Sequence, residues 1–260
     1  MTTRFRLLCA NLWLVLSCGA GPAQAALYDE IQVYDDAIDE PGKVGVELHV
    51  NTTPSGRSTP EYPGEVTPAH GLRVTPEFSY GLTKTFEAGL YLPLVRDRDN
   101  RYYLAGSKVR LKWIGQKTPT DGGFFYGANF ELSHVDRRFE QATNGFELRP
   151  IFGYRDQSWL LVTNPVLGYS LNKGYRNGGF DFSPSEKVSR RIADGLAFGF
   201  ELYSDVGKLA KFTPRAEQNH TLYAVIDVDR GPWVFNLGIG RGLNPATDRW
   251  TVKAIFELPL

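Results

Sequence analysis

Residues 107 to 113, SKVRLKW, alternate without a break. Lys108, Arg110 and Lys112 share one parity, and Val109, Leu111 and Trp113 share the other. A β-strand turns successive side chains to opposite faces, so the stretch predicts a two-faced strand. Similar runs recur along the chain, and no helical stripe longer than a turn or two interrupts them. They lie near Lys43–Val50, Leu72–Tyr80, Phe86–Leu92, Phe124–Leu132, Phe146–Tyr154, Ser158–Leu171, Asp181–Ile192, Leu196–Tyr203, Thr221–Val228, Pro232–Arg241 and Arg249–Leu260. With the first stretch they make about twelve strands.

The connections sort by length. Gly81-Leu82, Arg155-Asp156, Ala193-Asp194 and Arg230-Gly231 mark short turns, and polar stretches of about ten residues or more separate most other runs. Short turns at one rim, longer loops at the other and an even strand number describe an antiparallel transmembrane β-barrel. A β-sandwich gives no reason for such sorting. Tyr80, Phe86, Trp113, Phe124, Tyr154, Trp159 and Trp233 fall near the short-turn rim. Aromatic rings with a wet N–H or O–H favour the lipid–water boundary.

The N-terminus reads as a cleaved signal peptide over residues 1–25. Arg4 and Arg6 precede an apolar run, Leu7–Leu16, and Ala23-Gln24-Ala25 offers a small-residue cleavage site. Cys18 after Val15-Leu16-Ser17 is a weaker, lipoprotein-like alternative. Both cysteines and the single methionine lie in this segment, so the mature chain has no disulfide or thiolate chemistry. No other apolar run reaches the roughly 18 residues of a spanning helix. Residues 26–260 are therefore expected to form one barrel in the cell outer membrane, in contact with its lipid. The last strand alternates Trp250, Val252, Ala254, Phe256, Leu258 and Leu260 against Thr251, Lys253 and Glu257. Barrel-assembly machinery reads a final strand of this kind, although Leu260 stands where an aromatic is usual. Lys plus Arg and Asp plus Glu both number 29, which argues against a nucleic-acid partner.

Turning every apolar face to lipid defines the inner face. The lumen-lining candidates are Arg73, Glu77, Glu87, Lys108, Arg110, Lys112, Glu131, Arg149, Glu201 and Lys253, with Lys43, Glu47, Glu147, Lys187, Arg191, Asp227 and Glu257 on the same faces. These charges can pair across strands and brace a filled interior, or line a wet channel and set its selectivity. The three cations of SKVRLKW repel one another unless anions or carboxylates sit opposite. A closed barrel of twelve strands tilted near 40° has a backbone diameter of about 25 Å. Gly238, Gly240 and Gly242 fall on the inner parity, where they are expected to widen the lumen or admit a loop.

Enzyme signatures are poor. No G-x-S-x-G is present. His49, His70, His134 and His220 are scattered without metal-ligand spacing, so neither a metal nor another cofactor is expected. Ser133 and His134 suggest a hydrolase pair, but adjacent strand residues face opposite ways.

The stretches EFSYGLTKTFEAGLYLPL (77–94), KVRLKW (108–113), FGFELYSDVG (198–207) and GIGRGLNPATDRWTVKAIF (238–256) resemble the outer-membrane family named for the MetA pathway of phenol degradation. The resemblance is scattered over most of the mature chain. It implies a channel or transporter and carries over no catalytic residues. The expectation is a barrel passing small solutes, with polar, anionic or aromatic ones in view. A non-conducting barrel with a charge-paired interior is the alternative, and an outer-membrane hydrolase a more distant one.

Overall fold

The computed structural model describes residues 29–259, so the expected signal peptide lies outside the described residues. Every regular element among these residues is a strand. In chain order they are β1 (Val44–Ser55), β2 (Leu72–Gly81), β3 (Phe86–Tyr91), β4 (Leu94–Arg96), β5 (Tyr102–Leu104), β6 (Gly106–Gln116), β7 (Gly123–Val135), β8 (Asn144–Arg155) and β9 (Trp159–Asn164). There follow β10 (Leu167–Ser170), β11 (Asp181–Phe182), β12 (Ser185–Ala193), β13 (Leu196–Asp205), β14 (Gly207–Lys208), β15 (Lys211–Phe212), β16 (Asn219–Arg230), β17 (Trp233–Gly242) and β18 (Trp250–Glu257).

All pairings between them are antiparallel, and β18 pairs back with β1 from Glu47↔Glu257 to Ser55↔Trp250, closing the sheet. Several staves are broken in two: β3 and β4 both pair with β2, and β9 and β10 both pair with β8. Counted as staves, the closed barrel has twelve, as the sequence predicts. Closure matters because a sheet edge in hydrocarbon would leave its N–H and C=O groups without partners.

The short connections are tight hairpins. At the β12–β13 turn Gly195 has φ 60°, and a Cβ there would meet the Asp229 carbonyl oxygen at 2.1 Å, so the site admits only glycine without strain. At the β8–β9 turn the Asp156 carboxylate accepts the backbone N–H groups of Ser158 and Trp159 at 2.7 and 2.8 Å.

The outside is apolar and the inside charged, the reverse of a water-soluble protein. Val109, Leu111, Leu132, Phe200, Ile226 and Ile239 are exposed on the outer face, while Arg110, Lys112, Glu131 and Glu201 are buried within. At the short-turn rim Phe124 meets Tyr154 edge to face at 5.2 Å, and Trp159 and Trp233 stand exposed.

Candidate functional site

The ten predicted lumen residues all turn inward. They lie on β2 (Arg73, Glu77), β3 (Glu87), β6 (Lys108, Arg110, Lys112), β7 (Glu131), β8 (Arg149), β13 (Glu201) and β18 (Lys253). The register matches most charges across staves. Arg110 binds Glu77 and, at 2.7 Å, Glu87. Lys108 lies 3.3 Å from Glu131, and Arg149 lies 2.9 Å from Glu147. Glu201 takes Lys253 and, at 3.2 Å, Lys187, which also reaches Asp227 at 2.8 Å. Such buried pairs add little net stability, but removing one partner strands a charge in a low-dielectric interior.

The lumen is not empty, and what fills it, a segment of the chain itself, the sequence reading does not foresee. Residues 29–42 form no stave. They thread the interior and leave it beside the β2–β3 turn, where the Gly42 N–H donates to the Gly81 carbonyl at 2.8 Å. Asp29 bonds Lys108 at 2.7 Å and lies 3.9 Å from Arg73. Lys253 donates to the Ile31 carbonyl at 2.9 Å. Arg149 reaches Glu30 at 3.4 Å and the Gln32 carbonyl at 3.2 Å. Asn164 clamps Tyr34, accepting its N–H at 2.8 Å and donating to its carbonyl at 3.0 Å. Arg155 takes Asp35 at 2.5 Å and Asp36 at 3.0 Å, and Lys112 donates to the Ala37 carbonyl at 2.6 Å. Ser79 donates to Asp39 at 2.5 Å. One signal for this was legible: Asp29, Glu30, Asp35, Asp36, Asp39 and Glu40 crowd a short stretch of an otherwise balanced chain. They complement the basic parity of β6 and β8.

The wall meets the segment's apolar side with apolar residues of its own. Val33 and Tyr34 pack on Ile114, Phe125, Ile151 and Val162, with Ile38 and Leu160 alongside. Ile31 packs on Tyr223 and Val225. These wall residues sit on the inner parity, so the interior is not polar throughout.

Two of the inward glycines of β17 serve a different end from the one expected. A Cβ on Gly240 would meet the Tyr223 ring at 2.5 Å, and one on Gly238 would meet the Lys253 side chain at 3.0 Å. Only Gly242 admits a loop, its missing Cβ leaving room for the Asp248 backbone at 2.3 Å; Gly238 and Gly240 do not. Gly238 and Gly240 make room for large side chains from the neighbouring staves.

Beside the segment a cavity of ≈ 520 Å³ remains. Val33, Asp35 and Asp39 bound it on one side, and Glu47, Lys187, Glu201, Asp227 and Glu257 on the other. Asp156, Gly195 and Asp229 also line it, so it reaches the short-turn rim.

Glu257, Glu47 and Glu77 stand side by side in the register of β18, β1 and β2. The donor atoms of Glu47, His49 and Glu77 lie within 4.8 Å of one another, close enough to share an ion. Glu77 already binds His49 Nε2 at 3.0 Å and Arg110, whose charge opposes a second cation there. His134, the hydrolase candidate, bonds Asn144 Oδ1 at 2.8 Å on the exposed side of β7.

The long-loop mouth is capped as well. Phe139, on the β7–β8 loop, packs inward on Val95, Ala105 and Val135, with Val66 of the β1–β2 loop beside it. Val66 N–H donates to the Arg138 carbonyl at 2.8 Å. Arg138 hydrogen-bonds Asp136 at 2.7 and 2.9 Å and holds its carboxyl down at about 2. Burial, with Asp29 and Glu147 nearby, pushes the Glu140 carboxyl up to about 7 against the pull of Lys108 and Arg73.

No protein-family model and no curated protein sequence matches the chain. Solved structures do match its fold. An outer membrane channel from Pseudomonas putida F1 superposes with a TM-score of 0.60 at 9% identity, covering 88% of this chain and 99% of that one. The NanC porin gives 0.55 at 8% identity over 84% of this chain and 100% of its own. The KdgM porin gives 0.54 at 8% identity over 83% and 99%. At such identities the likeness is one of fold: this chain folds as an outer-membrane β-barrel.

Proposed function

We propose that this protein is an outer-membrane channel for small polar or charged solutes. One observation carries the reading: no stave crosses the lumen, which is filled by a separate segment held through ion pairs, hydrogen bonds and a small apolar patch. The space inside the staves is thus closed by a discrete piece of chain and not by the barrel wall itself. The ≈ 520 Å³ cavity reaching the short-turn rim supports the same reading. On it the chain is exported, loses residues 1–25 and is inserted by barrel-assembly machinery, its apolar belt against lipid. The fold shared with porins adds weight, and so do the stretches resembling the MetA-pathway family. The reading is non-enzymatic, since Ser133 and His134 face opposite ways on one strand.

Reconstitution into planar bilayers tests this. Discrete conductance steps from a heat-modifiable, folded barrel are expected. The filled interior also favours a second reading, a non-conducting surface barrel, and a folded preparation without steps would replace the first with it.

A further inference from the structure

The long-loop rim is charged unevenly. Residues 171–180 and 209–218 hold four cations, Lys173, Arg176, Lys211 and Arg215, and one carboxylate, Glu217. All four cations are exposed, and none enters an ion pair with a described residue. Arg176 hydrogen-bonds the Leu171 carbonyl, with Nε at 2.9 Å. The neighbouring carboxylates are engaged elsewhere: Asp181 holds Lys208 at 2.7 Å, and Asp205 accepts the Gly207 N–H at 3.0 Å. Other long connections balance their charges. Near the β4–β5 turn Arg96, Arg98 and Arg101 are interspersed with Asp97 and Asp99, and in the β7–β8 loop Arg138 is held by Asp136.

Register sets the same arc against lipid. Gly168 of β10 pairs with inward Glu147, so Leu167 and Tyr169 face outward. Phe182 of β11 pairs with Leu167 and stacks on Phe212 of β15 at 6.2 Å, and Phe180 meets Tyr169 at 5.2 Å. The Leu209 N–H donates to the Phe180 carbonyl at 2.8 Å, which joins the β14–β15 hairpin to the β10–β11 loop. Leu171, Tyr175, Phe180, Leu209 and Phe212 are 37–52% exposed. The free cations stand among them: Lys211 precedes Phe212, and Lys173 and Arg176 flank Tyr175. Aromatic rings settle at a membrane interface, and long cationic side chains beside them reach the headgroups.

In an outer-membrane barrel the longer loops face away from the cell. The leaflet on that side is built of a glycolipid with phosphates above its acyl chains. We propose that the arc from β10 to β15 is a binding site for this phosphorylated glycolipid. Its acyl chains lie on Leu171, Phe180 and Phe212, and its phosphates take Lys173, Arg176, Lys211 and Arg215 in charge-assisted bonds. The site goes beyond the channel reading and holds whether or not the lumen conducts.

Native mass spectrometry of the folded, full-length barrel released from neutral detergent tests it. The probes are diphosphorylated lipid A, the same lipid stripped of its phosphates, phosphatidylglycerol and inorganic phosphate. Diphosphorylated lipid A is expected to bind at the lowest concentration. The fourfold variant Lys173→Gln/Arg176→Gln/Lys211→Gln/Arg215→Gln should weaken it on the order of a hundredfold, since each cation near a charged lipid surface adds to the attraction. Arg96→Gln/Arg98→Gln/Arg101→Gln, at the balanced β4–β5 turn, should leave it unchanged. Equal binding by the fourfold variant, or an equal loss in the β4–β5 variant, overturns the site. Dephosphorylated lipid that binds as well overturns the phosphate contacts. Phosphatidylglycerol that binds as tightly, or inorganic phosphate that displaces the lipid at equal concentration, overturns the glycolipid. Should the fourfold variant not give the folded, heat-modifiable band, Lys173→Gln/Lys211→Gln is read in its place, and unchanged binding there overturns the proposal.

Discussion

Two arcs of the inner wall carry similar charges and neutralise them differently. On β12 to β18, Lys187 and Lys253 find Glu201 and Asp227, all on the wall itself. On β6 to β8, Lys108, Lys112, Arg149 and Arg155 turn in part to the threaded segment, meeting Asp29, Glu30, Asp35, Asp36 and the carbonyls of Gln32 and Ala37. The first arc neutralises its charges by itself, meets the segment at Ile31 and faces the cavity. The second is complete only with a guest. Electrostatic satisfaction thus belongs to the barrel on one side and in part to the threaded segment on the other.

Breaking the self-neutralising arc should have the largest effect. Glu201→Gln leaves two buried lysines short of their shared carboxylate, and losing one partner of a buried pair costs about 3–5 kcal/mol. The folded, fast-migrating band in heat-modifiability gels should disappear at a clearly lower temperature. Next comes Gly240→Ala, which drives a methyl into the Tyr223 ring on the same arc. Overpacking of this kind costs about 1–3 kcal/mol and should lower the same melting temperature by less.

The guest-dependent arc should respond locally. Asn164→Ala, on the adjoining β9, removes both bonds to the Tyr34 backbone. Hydrogen exchange should then quicken across residues 29–39 by about tenfold, the effect of one net hydrogen bond, with the barrel's melting little changed. A barrel that melts as early as Glu201→Gln would erase the contrast between the arcs.

The smallest effect concerns the mouth. Glu140 titrates at about 7 in the folded loop against an ordinary 4.5, so the folded state holds its proton more tightly. Its loop contact is therefore fully stable below about pH 4.5 and loses stability as the pH rises through 7. Proteolysis within residues 136–143 should be faster at pH 8 than at pH 5.5, and Glu140→Gln should flatten the difference.

The barrel was legible because lipid imposes period-2 alternation on every stave, and short turns leave their Gly and Asp residues behind. The inward direction of Arg110 and Lys112 follows from parity once the barrel sets the apolar face against lipid. The partners of those cations do not. Parity gives a face, whereas pairing depends on register between distant strands, as in Arg110 with Glu77. The threaded segment was hidden for another reason: it has no periodicity, since its backbone bonds to side chains and not to a neighbouring strand. Only its density of carboxylates hinted at a basic counterpart. The roles of Gly238 and Gly240 were misread because a glycine's purpose lies in what approaches it, here Tyr223 and Lys253.

The sequence by itself therefore determined the closed twelve-stave barrel, its lipid face and its charged interior, because one solvent constraint acts on every residue of every strand. Only the tertiary structure decided that the interior is occupied, and by which residues. Occupancy is a matter of complementarity between positions far apart in the chain, and it leaves no period to read.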